Sequence, residues 1–145
     1  MIENILTDLS KGDYLQRAYE LQAAMLDIDP DLHVELEPDH YFADGMYLRS
    51  LFIEEGVACV GHVHRYAHFT ILAQGKSTII SQEGRLDVEA PYIFVSSPFA
   101  KRSVYATTDC TWITVHKNTD NETDVDTLEN EHLIMDVQEL IEMRK

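Results

Sequence analysis

Apolar and polar residues alternate along the middle of the chain in short runs, and glycine, proline or acidic residues separate these runs. Alternation with a period of two, bounded by turn residues, is typical of β-strands that bury one face. The pattern predicts strands at Met46–Ile53, Val57–His64, His68–Ala73, Lys76–Ser81, Arg85–Ala90, Tyr92–Val95, Ser103–Thr107 and Thr111–His116. Because no helix-length segment interrupts them, we predict an antiparallel all-β barrel or sandwich, not a parallel α/β sheet.

The two ends of the chain show a helical pattern instead. Apolar residues at helical spacing predict an amphipathic helix from Asp13 to Asp27, and a second one over residues 127–143. Residues 118–126 are polar and predict a loop. We therefore expect an N-terminal helical arm over residues 1–40, a β-domain over 41–117, and a C-terminal loop and helix over 118–145.

Charge follows the same division. The formal net charge is -15, and the residues of the β-domain contribute nothing to it, since seven acids and seven bases lie there. The N-terminal arm carries -8 and the C-terminal segment -7. The acidic arms either keep the protein soluble or meet a basic partner surface. A nucleic-acid partner is not expected, because it would require a basic face.

Other sequence features indicate the cellular compartment of the protein and the classes of cofactor to expect. No apolar run approaches the roughly 20 residues that a membrane helix needs, and the N-terminus lacks a signal-peptide pattern. Cys59 and Cys110 lie in apolar runs and are expected to be buried, reduced thiols. A cytoplasmic protein is therefore predicted. No glycine-rich phosphate loop is present, so no nucleotide cofactor is expected.

Three histidines cluster in the run G-H-V-H-R-Y-A-H, residues 61–68. Strand alternation would place His62 and His64 on one face, and a short connection to the next strand would bring His68 beside them. Imidazole nitrogen is a ligand for divalent iron, manganese, nickel and zinc. Three imidazoles would leave open positions for water or substrate. The histidines are either such a metal site or hydrogen-bonded residues of the barrel interior.

The residues around this run resemble the first sequence motif of the cupin superfamily. That motif reads glycine, five residues, His-x-His, three or four residues, glutamate, six residues, glycine. Gly56, His62, His64 and Gly75 match it at the right spacing, and His68 occupies the position of the glutamate. The resemblance extends over about half the chain, from Tyr47 to His116. It implies an antiparallel jelly-roll barrel with a site at its open mouth.

The second cupin motif matches less well. Pro98 matches its proline, Ala100 stands for its glycine, and Ser103 falls on the position of its metal-binding histidine. Serine is a poor ligand for such metals. Either His68 completes a three-histidine site with His62 and His64, or the site is degenerate and the barrel carries no chemistry.

Further residues are candidates for binding a ligand near this site. Arg49 could face inward and pair with a substrate carboxylate, or extend outward. Arg102 lies near the predicted rim, where it could hold an anion or balance local acids. Tyr105 and His116 are weaker candidates, since a tyrosine in a strand often belongs to the core and a histidine at a strand end is more often exposed.

Two functions fit these features. The first is a cupin-fold protein that binds a divalent metal ion and binds or transforms a small molecule. The second is a non-catalytic jelly-roll protein used for assembly. The order of elements also resembles small stand-alone cupin-like proteins of bacteriophages and bacteria, which implies a virion role and phage structural partners as one form of the second function. In either case we expect a homo-oligomer, at least a dimer.

Overall fold

A computed structural model describes residues Tyr14, Arg17 and Ala18 and the continuous segment 36–134. Strands make up most of this segment. They are β1 Asp39–Ala43, β2 Met46–Ile53, β3 Ala58–Val60, β4 Val63–His64, β5 His68–Gln74, β6 Lys76–Ser81, β7 Gly84–Glu89, β8 Tyr92–Ser96, β9 Ser103–Ala106, β10 Cys110–Lys117 and β11 Leu133–Ile134. Helix α1, Val125–His132, lies between β10 and β11.

The strands form two main sheets and one small one. The five-stranded sheet has the order β1-β2-β10-β5-β8, the four-stranded sheet has the order β3-β9-β6-β7, and β11 pairs with β4. Every pairing is antiparallel. This arrangement confirms the prediction of an all-β, antiparallel jelly-roll architecture.

The register of the five-stranded sheet arranges its inward-facing side chains in three layers. Residues directly opposite each other in paired strands point to the same side of a sheet. We call these layers the histidine layer, the arginine layer and the floor layer. The histidine layer holds Tyr47, His116, His68 and Ser96; the arginine layer holds Arg49, Thr114, Thr70 and Phe94; the floor layer holds Leu51, Trp112, Leu72 and Tyr92.

The main hydrophobic core begins at the floor layer. Leu51, Leu72 and Trp112 pack there against Ile79 and Val88 of the four-stranded sheet. Burying a large apolar side chain contributes roughly 1.5 to 3 kcal/mol. The core therefore holds the two sheets together at one end, and the more polar layers lie toward the other end.

Several predicted boundaries differ in the structure. The predicted strand Val57–His64 is interrupted at Gly61 and His62, which separate β3 from β4. The predicted C-terminal helix begins at Val125 and ends at His132, because the chain then pairs with β4 as β11. Tyr14, Arg17 and Ala18 are helical, in agreement with the predicted N-terminal helix, and the rest of that helix and residues 135–143 lie outside the described residues.

Cys59 and Cys110 are both free thiols, as expected. Within the described part of the chain, no helix has the length and apolar character needed to span a membrane.

Gly75 is the position where the fold most clearly requires glycine. Its φ of +94° lies in the left-handed region, and a Cβ there would collide with the backbone carbonyl of Asp109. We expect Gly75→Ala to lower the free energy of unfolding by about 3 kcal/mol or more, since backbone strain and a backbone clash add. Urea unfolding monitored by circular dichroism measures the difference in free energy of unfolding between this variant and the wild type.

Gly45 provides the matched control for that substitution. Its φ is +71°, but a Cβ there would meet no atom within 4 Å. Gly45→Ala should therefore cost only the strain, about 1 to 2 kcal/mol. Equal costs for the two variants would contradict a role of the Asp109 contact.

Candidate metal centre

Three histidines meet at the open end of the five-stranded sheet. His64 ends β4, His68 begins β5, and His116 lies near the end of β10. One nitrogen from each ring lies within 4.8 Å of the nitrogens of the other two. The ring centroids are 4.3 Å apart for His64 and His68, 4.6 Å for His68 and His116, and 5.2 Å for His64 and His116. We call this group the histidine triad.

Hydrogen bonds orient two of the three rings. Nδ1 of His68 lies 3.2 Å from the backbone carbonyl oxygen of Tyr66, so Nδ1–H donates to it and Nε2 keeps its lone pair. Nε2 of His116 lies 2.8 Å from the hydroxyl of Thr114, which leaves Nδ1 for another contact. Partners of this kind fix the ring orientation of metal-binding histidines in other proteins.

Two rings of the triad are buried and that of His64 is partly buried, and burial keeps all three uncharged at neutral pH. His68 and His116 expose only 7% and 6% of their surface. Burial, followed by the nearby His68 and His116, lowers the pKa of His64 to about 2. Burial, followed by His68 and His132, lowers the pKa of His116 to about 3. Burial also lowers the pKa of His68. Because only neutral imidazole binds a metal ion, the three rings are prepared for coordination.

The structure replaces one member of the predicted histidine set. His64 and His68 come together as expected, but His116 joins them instead of His62. His62 lies between β3 and β4, where the strand alternation that would pair it with His64 is broken. Its side chain still lines the same cavity, and burial lowers its pKa. Of the two positions open to His116, inward-facing or exposed at a strand end, the structure has the inward-facing one.

Helix α1 explains why His116 is buried. His132, the last residue of α1, is 6% exposed, and its ring centroid lies 5.7 Å from that of His116. Tyr47 covers another side, with ring centroids 5.6 Å apart. The sequence analysis did not assign His132 to the site. A signal was present, because Leu128 and His132 are four residues apart and share the buried face of the helix.

Ser103 and Tyr105 do not face this site. Both residues lie on β9 and point away from the cavity, since Val104 between them lines it. The hydroxyl of Ser103 is 3.0 Å from that of Tyr14, and Tyr105 packs against Tyr14, Ala18 and Ile80. The structure therefore places Tyr105 outside the ligand cavity, and Ser103 cannot stand in for a fourth metal ligand.

A cavity of about 300 Å³ extends from the triad toward the floor layer. Arg49 and Arg102 both line it, which brings two of the predicted ligand-binding residues to the site. The guanidinium of Arg102 lies over the ring of Phe94, 5.1 Å from its centroid. Leu128, Glu129 and His132 of α1 close the opposite side. Most of the remaining wall is apolar.

The residues of the triad fit a divalent metal ion. Their donor atoms converge, their rings are neutral, and hydrogen bonds hold the remaining ring nitrogens of His68 and His116. One ion between the rings could contact all three after small side-chain rotations. Three protein ligands leave coordination positions open, which is the arrangement of catalytic sites and not of structural ones.

Comparison with known proteins identifies the architecture. No family model matches the sequence, and no curated protein sequence matches it. Solved structures do match its fold. The plu4264 protein from Photorhabdus luminescens aligns with a TM-score of 0.53 and 13% identity, over 72% of this chain and 94% of its own. An RmlC-like cupin from Shewanella frigidimarina gives a TM-score of 0.52 and 14% identity, over 66% and 85%.

An enzyme also appears among the similar structures. Salicylate 1,2-dioxygenase from Pseudoaminobacter salicylatoxidans aligns with a TM-score of 0.51 and 12% identity. The match covers 72% of this chain and 31% of the enzyme. At these identities the similarity shows a shared fold and not a shared reaction.

The depressed pKa values predict that acid destabilises the metal-free protein. In the unfolded chain a histidine takes up its proton near pH 6.5, whereas His64 and His116 stay neutral in the fold down to about pH 2 and 3. Below about pH 6.5 the unfolded state therefore binds more protons. The free energy of unfolding should fall by up to about 1.4 kcal/mol per pH unit for each of these histidines.

Urea unfolding of chelator-treated protein at about pH 7 and about pH 5 tests this dependence. His116→Gln removes one of the two groups and should flatten the dependence on pH. A variant whose stability changes with pH as steeply as that of the wild type would show that His116 is not buried in its neutral form.

Proposed function

Because this chain has the cupin fold, we propose that it is a metal-binding cupin that holds a divalent ion and a small molecule in the same cavity. The observation that carries this proposal is the convergence of His64, His68 and His116 at one end of a cavity. A chain that needed these histidines only for stability would gain more from apolar side chains, since burying polar rings is costly.

The chemistry of the donor set narrows the choice of metal. Three imidazoles suit iron, nickel, zinc and manganese better than calcium or magnesium, which prefer oxygen ligands. A bound ion would act as a Lewis acid toward a ligand oxygen. The triad would hold it, and the apolar walls would limit the access of water. Glu129, which lines the cavity from α1, is a carboxylate within the same space.

Metal analysis of untagged protein is the direct test. We expect about one divalent ion per chain, and loss of more than about 90% of it in His64→Ala and in His116→Ala, because two imidazoles bind far more weakly than three. His62→Ala is the matched control. It removes a nearby histidine of the same cavity that lies outside the triad, so the metal content should be kept.

Mass spectrometry of metals and titration with Co²⁺, followed by its visible absorption, provide two independent readouts. Loss of metal in His62→Ala together with full retention in His116→Ala would favour the set His62, His64 and His68 over the triad. Absence of stoichiometric metal in the wild type, before and after addition of each candidate ion, would contradict the proposal.

A different surface supports a proposal about assembly. The outer face of the five-stranded sheet carries two rows of residues that follow the strand register. The first row holds Tyr41, Leu48, Val115, Phe69 and Val95, and the second runs from Asp39 through Ser50, Ile113 and Ile71 to Ile93. Ile93 is 65% exposed, Val95 60% and Phe69 54%. We call these two rows the outer face.

We propose that the outer face pairs with the outer face of a second copy. Its exposed apolar area is on the order of 500 Å², within the roughly 300 to 600 Å² of the largest and often functional patch on a monomer, and it would form the centre of an interface of roughly 800 Å² per partner. A two-fold axis brings identical surfaces together, and two sheets pack face to face about 10 Å apart. Apart from Asp39 at the edge, the rows carry no charge, so pairing them brings few like charges together.

Charge introduced into the outer face should prevent this pairing. We expect the wild type to sediment as a dimer at micromolar concentration and Ile93→Glu to sediment as a monomer, because a carboxylate would lose its hydration in the interface. Leu86→Glu is the control, since Leu86 is 48% exposed on β7 of the other sheet.

Analytical ultracentrifugation distinguishes these cases. A wild type that stays monomeric, or an Ile93→Glu variant that stays dimeric, would contradict the assignment of the outer face. Use of such a dimer in a larger assembly, including a virion, is the second candidate function.

A further inference from the structure

Arg49 is a cation in the cavity wall that no carboxylate of the described residues contacts. It lies in the arginine layer, opposite Thr114 of β10, and is half-buried. Among the residues that the structure describes, none forms a hydrogen bond or an ion pair with its guanidinium. Its charge is nevertheless felt at the site, since it contributes to lowering the pKa values of His64 and His116.

Other arginines of the β-domain have visible partners. Arg85 pairs with Asp87 at 3.3 Å, and the guanidinium of Arg102 lies over Phe94. Glu129 lines the same cavity as Arg49, but no ion pair joins them. A guanidinium that has lost part of its hydration without gaining hydrogen bonds is costly, and a bidentate carboxylate is the group that matches its geometry. The Arg49 guanidinium therefore has the geometry and the free donors that a carboxylate would require.

Trp112 in the floor layer supplies a second, independent observation. Its side chain lines the cavity, and its buried indole N–H has no hydrogen-bond acceptor. Nearly all buried polar groups in proteins have a partner, so an exception needs an explanation. Because this N–H exposes almost no surface, an acceptor oxygen of a ligand would reach it only if the indole ring turned toward the cavity.

The layers also limit the size and polarity of the part of the ligand beyond its anionic group. Adjacent layers lie two residues apart along a strand, about 6.6 Å. Arg49 thus separates the triad on one side from the apolar floor layer on the other. The cavity volume of about 300 Å³ is at the lower end of the range for small-molecule sites. The volume beside Arg49 suits a compact ligand, and the apolar floor layer suits an apolar group on it.

We propose that the small molecule held in this cavity is a carboxylate with a compact apolar body, and that Arg49 binds its carboxylate group. This inference rests on the proposed function, because it names the class of ligand for the same cavity. Thr70 and Thr114, which flank one another in the arginine layer, offer hydroxyl groups beside the guanidinium. Because the triad consists of neutral rings, a metal ion bound there would add positive charge and favour the same class of ligand.

Trp112 makes the proposal measurable, because it is the only tryptophan of the chain and lines the cavity. We would titrate chelator-treated protein with benzoate, phenylacetate and 4-methylpentanoate, each beside its neutral amide, and follow the tryptophan fluorescence. At least one acid should bind more tightly than its amide by tenfold or more, since a charge-assisted pair is worth about 1.5 to 3 kcal/mol.

Variants locate the effect at Arg49. Arg49→Gln should weaken binding of the acid about 10- to 100-fold and leave binding of the amide unchanged. Arg49→Lys, which keeps the charge but loses the bidentate geometry, should fall between. Arg85→Gln is the matched control, and it should bind the acid as the wild type does. Circular dichroism and metal content of Arg49→Gln should equal those of the wild type, which excludes unfolding as the cause.

These measurements separate the two proposals. If all acids bind no better than their amides, or if Arg49→Gln binds the acid as tightly as the wild type, the carboxylate inference is wrong, whatever the metal content. If acids bind through Arg49 while no metal binds, the inference stands and the metal proposal fails.

Discussion

The position of β10 between β2 and β5 is the constraint on which the rest of the site depends. The whole of β10 pairs with β2, and its residues 111–115 also pair with β5, so Trp112, Thr114 and His116 must share one face of the sheet with Leu51, Arg49 and Tyr47 of β2. A shift of the register by one residue would send all of these side chains to the other face. The sequence of layers, from the apolar floor layer to the histidine layer, is therefore a direct consequence of strand pairing. The wall that this sheet contributes to the cavity becomes more polar along that direction.

Burial of the triad makes the site possible and also makes it costly. Helix α1 and Tyr47 cover His116 and remove the water that would otherwise hydrate its ring. The lost hydration keeps the rings neutral and available as ligands, but the fold gains little stability from them. A metal ion that binds only to the folded chain would offset this cost, because binding free energy adds to the stability of the folded state. Burial of the apolar side chains at the floor layer thus stabilises the fold, and this stability offsets the free-energy cost of burying the histidine rings.

The sequence allowed the strands, the all-β class and the proximity of His64 and His68 to be predicted, because these depend on local alternation and a short connection. The position of His62 beside His64 could not be predicted in the same way. That prediction assumed continuous strand alternation, and Gly61 and His62 interrupt the strand. The burial of His116 could not be decided from the sequence for a different reason. Exposure of a strand end depends on what packs over it, and α1, which covers it, follows only after a loop of seven residues, 118–124. Arg49 could be placed only once its partners on β10 were known.

Two positions at which this chain departs from the cupin motifs that it resembles alter the charge of the cavity. In the second motif, a histidine on the strand equivalent to β9 contributes to the metal site, whereas Ser103 here points outward and contacts Tyr14. The inward-facing neighbour on that segment is Arg102, so the wall presents a cation where the motif presents a ligand. The position of the first motif's glutamate holds His68, which removes a negative charge from the ligand set. Both changes make the charge of the cavity more positive. A divalent ion bound by three neutral rings, near Arg49 and Arg102, would keep its full charge. The electrostatic balance of such a cavity then has to come from Glu129 and from the ligand itself, and two or more positive charges exceed what one carboxylate of the protein can neutralise.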